Sequence, residues 1–107
     1  MQQLADEASV DAAFTAPRYL VLKHSPICPI SSSVRLEVET FASSHPELPV
    51  GMIDVIDGRT LSDGVAARTG IRHESPQVLL LRAGEVVWHE NHWRVTGARL
   101  EEGFAQL

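Results

Sequence analysis

Cys28-Pro29-Ile30-Ser31 follows the apolar run Tyr19-Leu20-Val21-Leu22 and the connector Lys23-His24-Ser25-Pro26-Ile27. An apolar run bounded by turn residues is typical of a strand that is buried on both faces. Proline is well tolerated at the first position of a helix, where its missing N–H would have no partner. The sequence therefore predicts a central strand, a short loop and a helix, with Cys28 at or just before the start of that helix.

A sulfur at this place is expected to be reactive. The unpaired amides of Ile30 and Ser31 and the positive end of the helix dipole favour a thiolate, and the Ser31 hydroxyl is a further donor. The alternative is that Cys28 is a small buried apolar residue, which is common for a lone cysteine. Its place between strand and helix, outside either apolar face, favours the reactive interpretation. Because the chain has one cysteine, any disulfide must involve a partner.

Composition indicates one globular domain that spans residues 1–107. The formal charge of −5 argues against a nucleic-acid surface. No apolar stretch approaches the length of a membrane span, and residues 1–17 lack the basic and apolar regions of a signal peptide. We therefore expect a cytoplasmic protein without nucleic-acid or membrane partners, in a reducing compartment that keeps a single thiol free.

Hydrophobic periodicity and turn residues predict an α/β chain. Its first elements are expected to be a short helix over residues 9–14 capped by Ser9, a strand over 19–23, a helix from Pro29 to about Ser44, and a strand over 50–56. A helix over residues 61–69, strands over 77–82 and 85–90 joined by Ala83-Gly84, and a final helix capped by Thr96 follow. Strand, helix, strand implies parallel pairing, whereas the short Ala83-Gly84 link implies an antiparallel hairpin. Gly97 and Gly103 are each expected to weaken the last helix by roughly 1 kcal/mol relative to alanine.

This order, β-α-β-α-β-β-α after a short N-terminal helix, resembles the thioredoxin fold, a four-stranded mixed sheet flanked by helices. The stretch from Gly70 to Glu85 resembles the thioredoxin segment that carries the cis-proline and leads into the hairpin. By this resemblance Pro76 is the cis-proline, and Ser75 offers backbone groups to a substrate chain.

Longer strings resemble a narrower family. Cys28-Pro29-Ile30-Ser31 is similar to the glutaredoxin Cys-Pro-x-Cys motif with its second cysteine replaced by serine. With Lys23-His24-Ser25-Pro26-Ile27, His73-Glu74-Ser75-Pro76-Gln77-Val78 and Trp88-His89-Glu90-Asn91-His92-Trp93, it closely resembles the YtxJ family of monothiol bacilliredoxins. One departure is Ile27, which stands where many family members carry an arginine beside the cysteine.

The resemblance implies removal of bacillithiol from protein mixed disulfides. Cys28 would be the nucleophile, with Pro29 and Ser31 completing its motif, and bacillithiol would be a thiol co-substrate with no other cofactor. The implied partners are bacillithiolated proteins, bacillithiol and a recycling reductase. Ser25-Pro26-Ile27-Cys28 can also be aligned with a thioredoxin motif that kept only its second cysteine. In thioredoxins, however, about three residues separate the first strand from the nucleophile, and Ser25-Pro26-Ile27 fills that gap, so Cys28 takes the nucleophile's place and Ser31 the resolving position.

The resemblance also places a substrate groove near Cys28. Its predicted members are the backbone at Ser75 and Pro76 and the loop His92-Trp93-Arg94 after the last strand. The predicted cations, which would face the malate carboxylates of bacillithiol, are Lys23, His24, Arg72 and Arg94. The alternative for the cations is a solvated surface. For Trp93 core packing is an equal alternative, and for Trp88 it is the preferred one.

Two other functions compete with thiol exchange. The first is an iron–sulfur cluster carrier, as some monothiol glutaredoxins are, but Pro29 and Ile30 stand where those proteins typically have glycine and phenylalanine. The second is a redox-inert binding module that keeps the fold without the chemistry. His89 and His92 do not predict a metal site, because a strand end and its loop do not give the usual ligand geometry. Asp54 is a candidate proton acceptor, although hydrogen bonding at a strand end is the favoured interpretation.

Overall fold

A five-stranded mixed sheet forms the centre of the computed structural model, which describes residues 1–107. The strands are β1 (Gln2–Gln3), β2 (Arg18–His24), β3 (Val50–Asp54), β4 (Gln77–Arg82) and β5 (Glu85–Asn91). Their order across the sheet is β1-β3-β2-β4-β5. β1 and β2 are both parallel to β3, whereas β4 is antiparallel to β2 and to β5. The predicted parallel unit and the predicted antiparallel hairpin are both confirmed.

Four helices cover the two faces of the sheet: α1 (Glu7–Thr15), α2 (Pro29–Ser44), α3 (Arg59–Thr69) and α4 (Gly97–Phe104). Successive residues of β2 point to opposite faces, so the core divides into two layers. Leu20 and Leu22 pack with residues of α2 and α4, and Tyr19 and Val21 pack with residues of α1 and α3. β2 is therefore buried on both faces, as predicted. No helix has both the length and the apolar content that a membrane crossing requires.

The start of the chain differs from the prediction in two ways. The prediction of four strands is wrong by one, because Gln2–Gln3 adds a short strand along β3 that has no sequence pattern of its own. Helix α1 is capped by Asp6 and not by Ser9: the Asp6 carboxylate accepts a hydrogen bond from the Ser9 amide at 2.8 Å, and Ser9 completes the capping box.

β3 is shorter than predicted because its last residue turns the chain. The Asp54 carboxylate accepts hydrogen bonds from the backbone N–H groups of Ile56 at 2.8 Å and Asp57 at 3.1 Å. These bonds give Asp54 the role of a hydrogen bonder at the strand end, which was the favoured interpretation. The strand therefore ends at Asp54 and not at Ile56.

Strand directions bring five loops to one edge of the sheet. β1, β2, β3 and β5 run the same way and end there, and β4 runs the opposite way and begins there. The loops are residues 4–6 after β1, 25–28 after β2, 55–58 after β3, 70–76 before β4 and 92–96 after β5. We refer to this side as the Cys28 edge, and it holds every candidate site residue except those within β2 itself.

Candidate active site

Cys28 is the N-cap residue of α2. Its backbone is extended, with φ −103° and ψ 120°, and Pro29 occupies the first turn, as the sequence predicts. The fixed φ of proline suits the first helical turn, and the thiol is partly exposed because the helix starts at the end of a loop. The sulfur therefore stands at the helix start, close to the amides of the first turn. The Ser31 amide is not unpaired, as the sequence suggested, because it donates to the Cys28 carbonyl at 3.0 Å.

The surroundings of the thiol lower the pKa of Cys28. The largest cause is the backbone N–H of Ser31; slight burial opposes the shift, and the N–H of Ile30 and the Ser31 hydroxyl add to it. No charged side chain contributes. The thiol closes no capping hydrogen bond in this structure, so these donors act on the thiolate once it forms.

Ser31 has a second task that sequence reasoning missed. Its side chain is completely buried, and its Oγ accepts a hydrogen bond from the Ser25 amide at 3.2 Å. The Ser25 carbonyl in turn accepts from the Cys28 amide at 3.2 Å. The hydroxyl thus holds the loop before Cys28 as well as facing the sulfur. Ser25 and Ser31 are six residues apart, and no sequence pattern indicates that two serines at this spacing are in contact.

Pro76 lies beside the loop that carries Cys28. The Ser75–Pro76 peptide bond is cis, which confirms the expectation from the resemblance. Gln77 pairs with Lys23 across β4 and β2, so Pro76 comes level with the end of β2. The Ser75 Oγ is buried and has no hydrogen-bond partner.

His92, Trp93 and Arg94 form a 3-10 turn that closes the other side of the Pro76 loop. The His92 amide donates to the Pro76 carbonyl at 2.8 Å, and the turn contacts α2. The Trp93 side chain is 66% exposed, so core packing is wrong for it, whereas Trp88 is buried in the core as expected. The Arg94 guanidinium is also exposed, with its Nε 3.5 Å from Glu90 Oε2. An indole and a cation therefore border the site.

Lys23 does not lie where the prediction put it. Its side chain is fully buried on the α3 face of the sheet, with Nζ 3.1 Å from the Ser62 carbonyl oxygen and 3.2 Å from His73 Nδ1. Both predictions for Lys23, a cation in the groove and a solvated surface residue, are therefore wrong. The reason is strand alternation, because Lys23 follows Tyr19 and Val21 on the same face of β2.

His24 is likewise not a surface cation. It points to the α2 face and is buried, and its Nδ1 has no hydrogen-bond partner. Burial and the nearby Arg35 guanidinium lower the pKa of His24, although Asp54 and the Ser31 backbone oppose them. Its ring therefore lies in the protein interior at the end of β2. Of the four predicted cations, only Arg72 and Arg94 are exposed.

The Cys28 site is an open surface and not a cavity. The one pocket in the structure, about 190 Å³, is lined by residues from the start of the chain and the loop after β3: Gln3, Leu4, Ala5, Asp54, Asp57 and Gly58. It contains neither Cys28 nor any predicted substrate-binding residue. No group of three or more His, Cys, Asp or Glu side chains is arranged to hold a metal ion.

Comparison with known proteins agrees with this geometry. A solved structure of a protein provisionally assigned as an oxidoreductase with a thioredoxin fold superposes with a TM-score of 0.91 at 28% identity, covering 96% of this chain and 92% of that chain. Thioredoxin from Fasciola hepatica superposes with a TM-score of 0.80 at 17% identity, covering 98% of this chain and 97% of that one. Mitochondrial thioredoxin 3 from Saccharomyces cerevisiae gives 0.82 at 11% identity, covering 100% and 95%. The fold is that of thioredoxin.

The sequence matches a family model over residues 2–100, and that family is described as monothiol bacilliredoxin BrxC. The match covers both Cys28 and Pro76. Together with the thioredoxin fold and the single cysteine it supports a monothiol thiol oxidoreductase. The chain belongs to the monothiol bacilliredoxin BrxC family.

Proposed function

We propose that this protein removes bacillithiol from protein mixed disulfides, with Cys28 as the nucleophile. The observation that carries the proposal is the place of Cys28 at the N-cap of α2, where Ser31 and Ile30 lower its pKa, on the same edge as cis-Pro76. Thiol–disulfide exchange requires a thiolate that is accessible, and this sulfur is partly exposed and has a lowered pKa. Pro29 and Ser31 shape the helix start, and no resident cofactor is needed.

The exchange step transfers a disulfide without net oxidation. The Cys28 thiolate attacks the bacillithiol sulfur of the mixed disulfide, and a bond between the two sulfurs forms as the bond to the protein sulfur breaks. The substrate protein leaves as a thiolate and takes a proton from water. Cys28 is then joined to bacillithiol.

Regeneration needs an external thiol, because the resolving position of the motif holds Ser31 and the chain has no second cysteine. The thiolate of a second bacillithiol attacks the bacillithiol sulfur of the adduct, which releases Cys28 as a thiolate and forms the bacillithiol disulfide. A reductase that supplies two electrons returns that disulfide to two thiols. The same adduct is open to a partner reductase that attacks it directly.

The Cys28 edge suits a protein as the other half of the mixed disulfide. Ile27, beside the cysteine, is 81% exposed, Trp93 is 66% exposed, and Ile56 lies exposed on the neighbouring loop. Exposed large apolar side chains clustered on one side are typical of an interaction surface. The backbone groups of Ser75 make no backbone hydrogen bond and are available to an extended substrate chain.

Cations near this surface favour an acidic small thiol. Arg94 on the turn after β5 and Arg72 on the loop before β4 are exposed, and the Arg94 guanidinium has an ion-pair partner in Glu90 at 3.5 Å. Guanidinium groups bind carboxylates in a forked geometry, and the malate of bacillithiol presents two carboxylates. We therefore expect bacillithiol to leave a protein faster than glutathione does.

The test uses one reporter protein with a single cysteine, prepared as its bacillithiol and glutathione mixed disulfides. Intact-mass analysis of this chain after mixing should show Cys28 gaining one bacillithiol while the reporter loses it, and Cys28→Ala should show neither change with its fold intact. Equal rates for the two adducts at matched pH and salt would remove the bacillithiol assignment and leave a general thiol exchanger. An absorbing cluster after anaerobic reconstitution, without exchange, would favour the iron–sulfur alternative.

A further inference from the structure

Residues 71–75, which lead into cis-Pro76, are held in place by side chains, whereas Pro76 itself accepts a backbone hydrogen bond from His92. None of the backbone-to-backbone hydrogen bonds in the structure involves residues 71–75. The Ile71 amide donates to Thr69 Oγ1 at 3.1 Å, the Arg72 carbonyl accepts from Gln77 Nε2 at 3.0 Å, and Glu74 lies 3.5 Å from His92 Nε2. The position of this loop therefore depends on individual side-chain contacts.

Two residues tie the loop to the α3 side of the core: Ile71 packs against its apolar cluster, and His73 makes the polar contact to buried side chains. Its Nδ1 lies 3.2 Å from Lys23 Nζ and 3.1 Å from the hydroxyl of Ser62, which is completely buried in α3. Lys23 Nζ also donates to the Ser62 carbonyl. Lys23, Ser62 and His73 form a cluster, the Lys23 cluster, between β2, α3 and the loop.

Hydrogen-bond chemistry fixes the protonation of this cluster. An ammonium group only donates, so His73 Nδ1 must accept from Lys23 and carry no proton. Burial lowers the pKa of Lys23 to about 8 against the opposing charge of Asp63. Burial and the Lys23 charge lower the pKa of His73, with Arg59 in the same direction and Asp63 and Glu74 opposed. At neutral pH the cluster holds one positive charge, on Lys23, and a neutral imidazole.

We infer that Lys23 is a positioning residue for thiol exchange: through His73 it helps to fix residues 71–75, so that Ser75 presents its backbone to a substrate beside Cys28. The inference rests on the exchange reaction proposed above. Lys23 does not touch the substrate, because it is completely buried. Lys23 also does not activate the sulfur, because the pKa of Cys28 is lowered by hydrogen-bond donors at Ser31 and Ile30 and not by a charged group. Its effect should therefore fall on substrate binding.

The chain offers matched variants for a test. Lys23→Met keeps the length of the side chain and removes its charge, and His73→Ala removes the acceptor from a partly exposed position where folding is less at risk. Arg82→Met is the control, since it removes one cation from the exposed far end of β4. The substrate is the bacillithiolated single-cysteine reporter. Lys23 is the only lysine, so isotope-labelled lysine gives a single side-chain signal in NMR spectra.

We expect Lys23→Met and His73→Ala each to raise KM about tenfold, the usual scale for one hydrogen bond to a charged group, with kcat within twofold. The double variant should be no worse than either single variant, because both break one contact. Backbone order parameters from NMR relaxation should fall at residues 71–75 and not in β2 or α2. The wild-type ring of His73 should show an unprotonated Nδ1, and Arg82→Met should behave as wild type throughout.

An unchanged KM in either variant would overturn the inference. A fall in kcat together with a rise in KM and faster amide hydrogen exchange across the whole chain would also overturn it, because that result would mark Lys23 as a general stabiliser. If Lys23→Met does not fold, His73→Ala decides the question. If the wild-type protein exchanges no mixed disulfide, the proposed function fails and the catalytic part of the inference with it. The backbone order parameters and the His73 signal would still show whether the contact holds the loop, so the two failures are distinguishable.

Discussion

Gly103→Ala should destabilise the protein although it replaces glycine by the best helix former. Gly103 lies in α4, against the buried ring of Trp88. A Cβ at this position would stand 2.7 Å from Trp88 Cε3 and 2.8 Å from Cγ, and closer still to Cδ2. Such distances are far inside van der Waals contact, and the Arg99 guanidinium lies over the same ring at 5.9 Å from its centroid. The ring therefore has little room to withdraw.

Two effects of opposite sign set the size of this change. Overpacking a core by one methyl group costs about 1–3 kcal/mol. Removing a glycine from a helix returns about 0.5–1 kcal/mol. The difference is a net loss of about 1–2 kcal/mol, which lowers the Tm of a domain of this size by roughly 4–15 °C.

Gly64→Ala in α3 is the matched control, because nothing lies within 4 Å of a Cβ at that exposed position. It should raise stability by up to about 1 kcal/mol. Thermal and urea unfolding of both variants, followed by circular dichroism, measure the difference. If Gly103→Ala proves as stable as Gly64→Ala, α4 does not pack on Trp88 as described.

Three predictions concern the site. Ser31→Cys should form an internal disulfide with Cys28 and resolve its own adduct without a second small thiol, because the two side chains share the first turn of α2; intact-mass analysis that shows the wild-type adduct accumulating would contradict the assigned motif. Ser31→Ala should raise the pKa of Cys28, since it removes a donor to the thiolate, and should loosen the loop that the hydroxyl holds; absorbance near 240 nm against pH measures the thiolate, and exchange should then be lost at a higher pH than in wild type as the solution is acidified. Arg94→Ala should narrow the difference in rate between bacillithiol and glutathione adducts while leaving the thiolate titration unchanged; an unchanged ratio of rates would exclude Arg94 from recognition of the small thiol.

The sequence was sufficient for the elements whose signals are local. Residues 77–82 form a strand with the predicted bounds, because turn residues flank a continuous apolar run. Pro29 and Thr96 start their helices as expected, and Gly70 ends α3 with φ 72°. Each of these signals lies within one turn of the residue that it places. β1 was missed for the converse reason, since two residues contain no periodicity.

Lys23 shows where local reasoning failed. A strand buried on both faces leaves no exposed position, so predicting both that strand and a surface lysine within it was inconsistent. Alternation from Tyr19 and Val21 placed Lys23 on the α3 face, and this signal was present in the sequence. Its partner was not predictable in the same way, because His73 is 50 residues away along the chain. A buried cation without a known acceptor favours the surface interpretation until the fold brings the acceptor to it.

This difference between local and distant contacts predicts which residues set the pKa of the thiol and which set KM. The groups that stabilise the Cys28 thiolate belong to its own helical turn, and no arginine or lysine takes part, which fits the presence of Ile27 where an arginine is common. The surface proposed to meet the substrate is assembled from loops that are distant in sequence and joined by contacts such as His92 to Pro76. Substitutions in the turn of Ser31 should therefore move the pKa of the thiol, and substitutions that loosen the loops should move KM. A site built in this way can change its protein substrates through the loops without changing the reactivity of its cysteine.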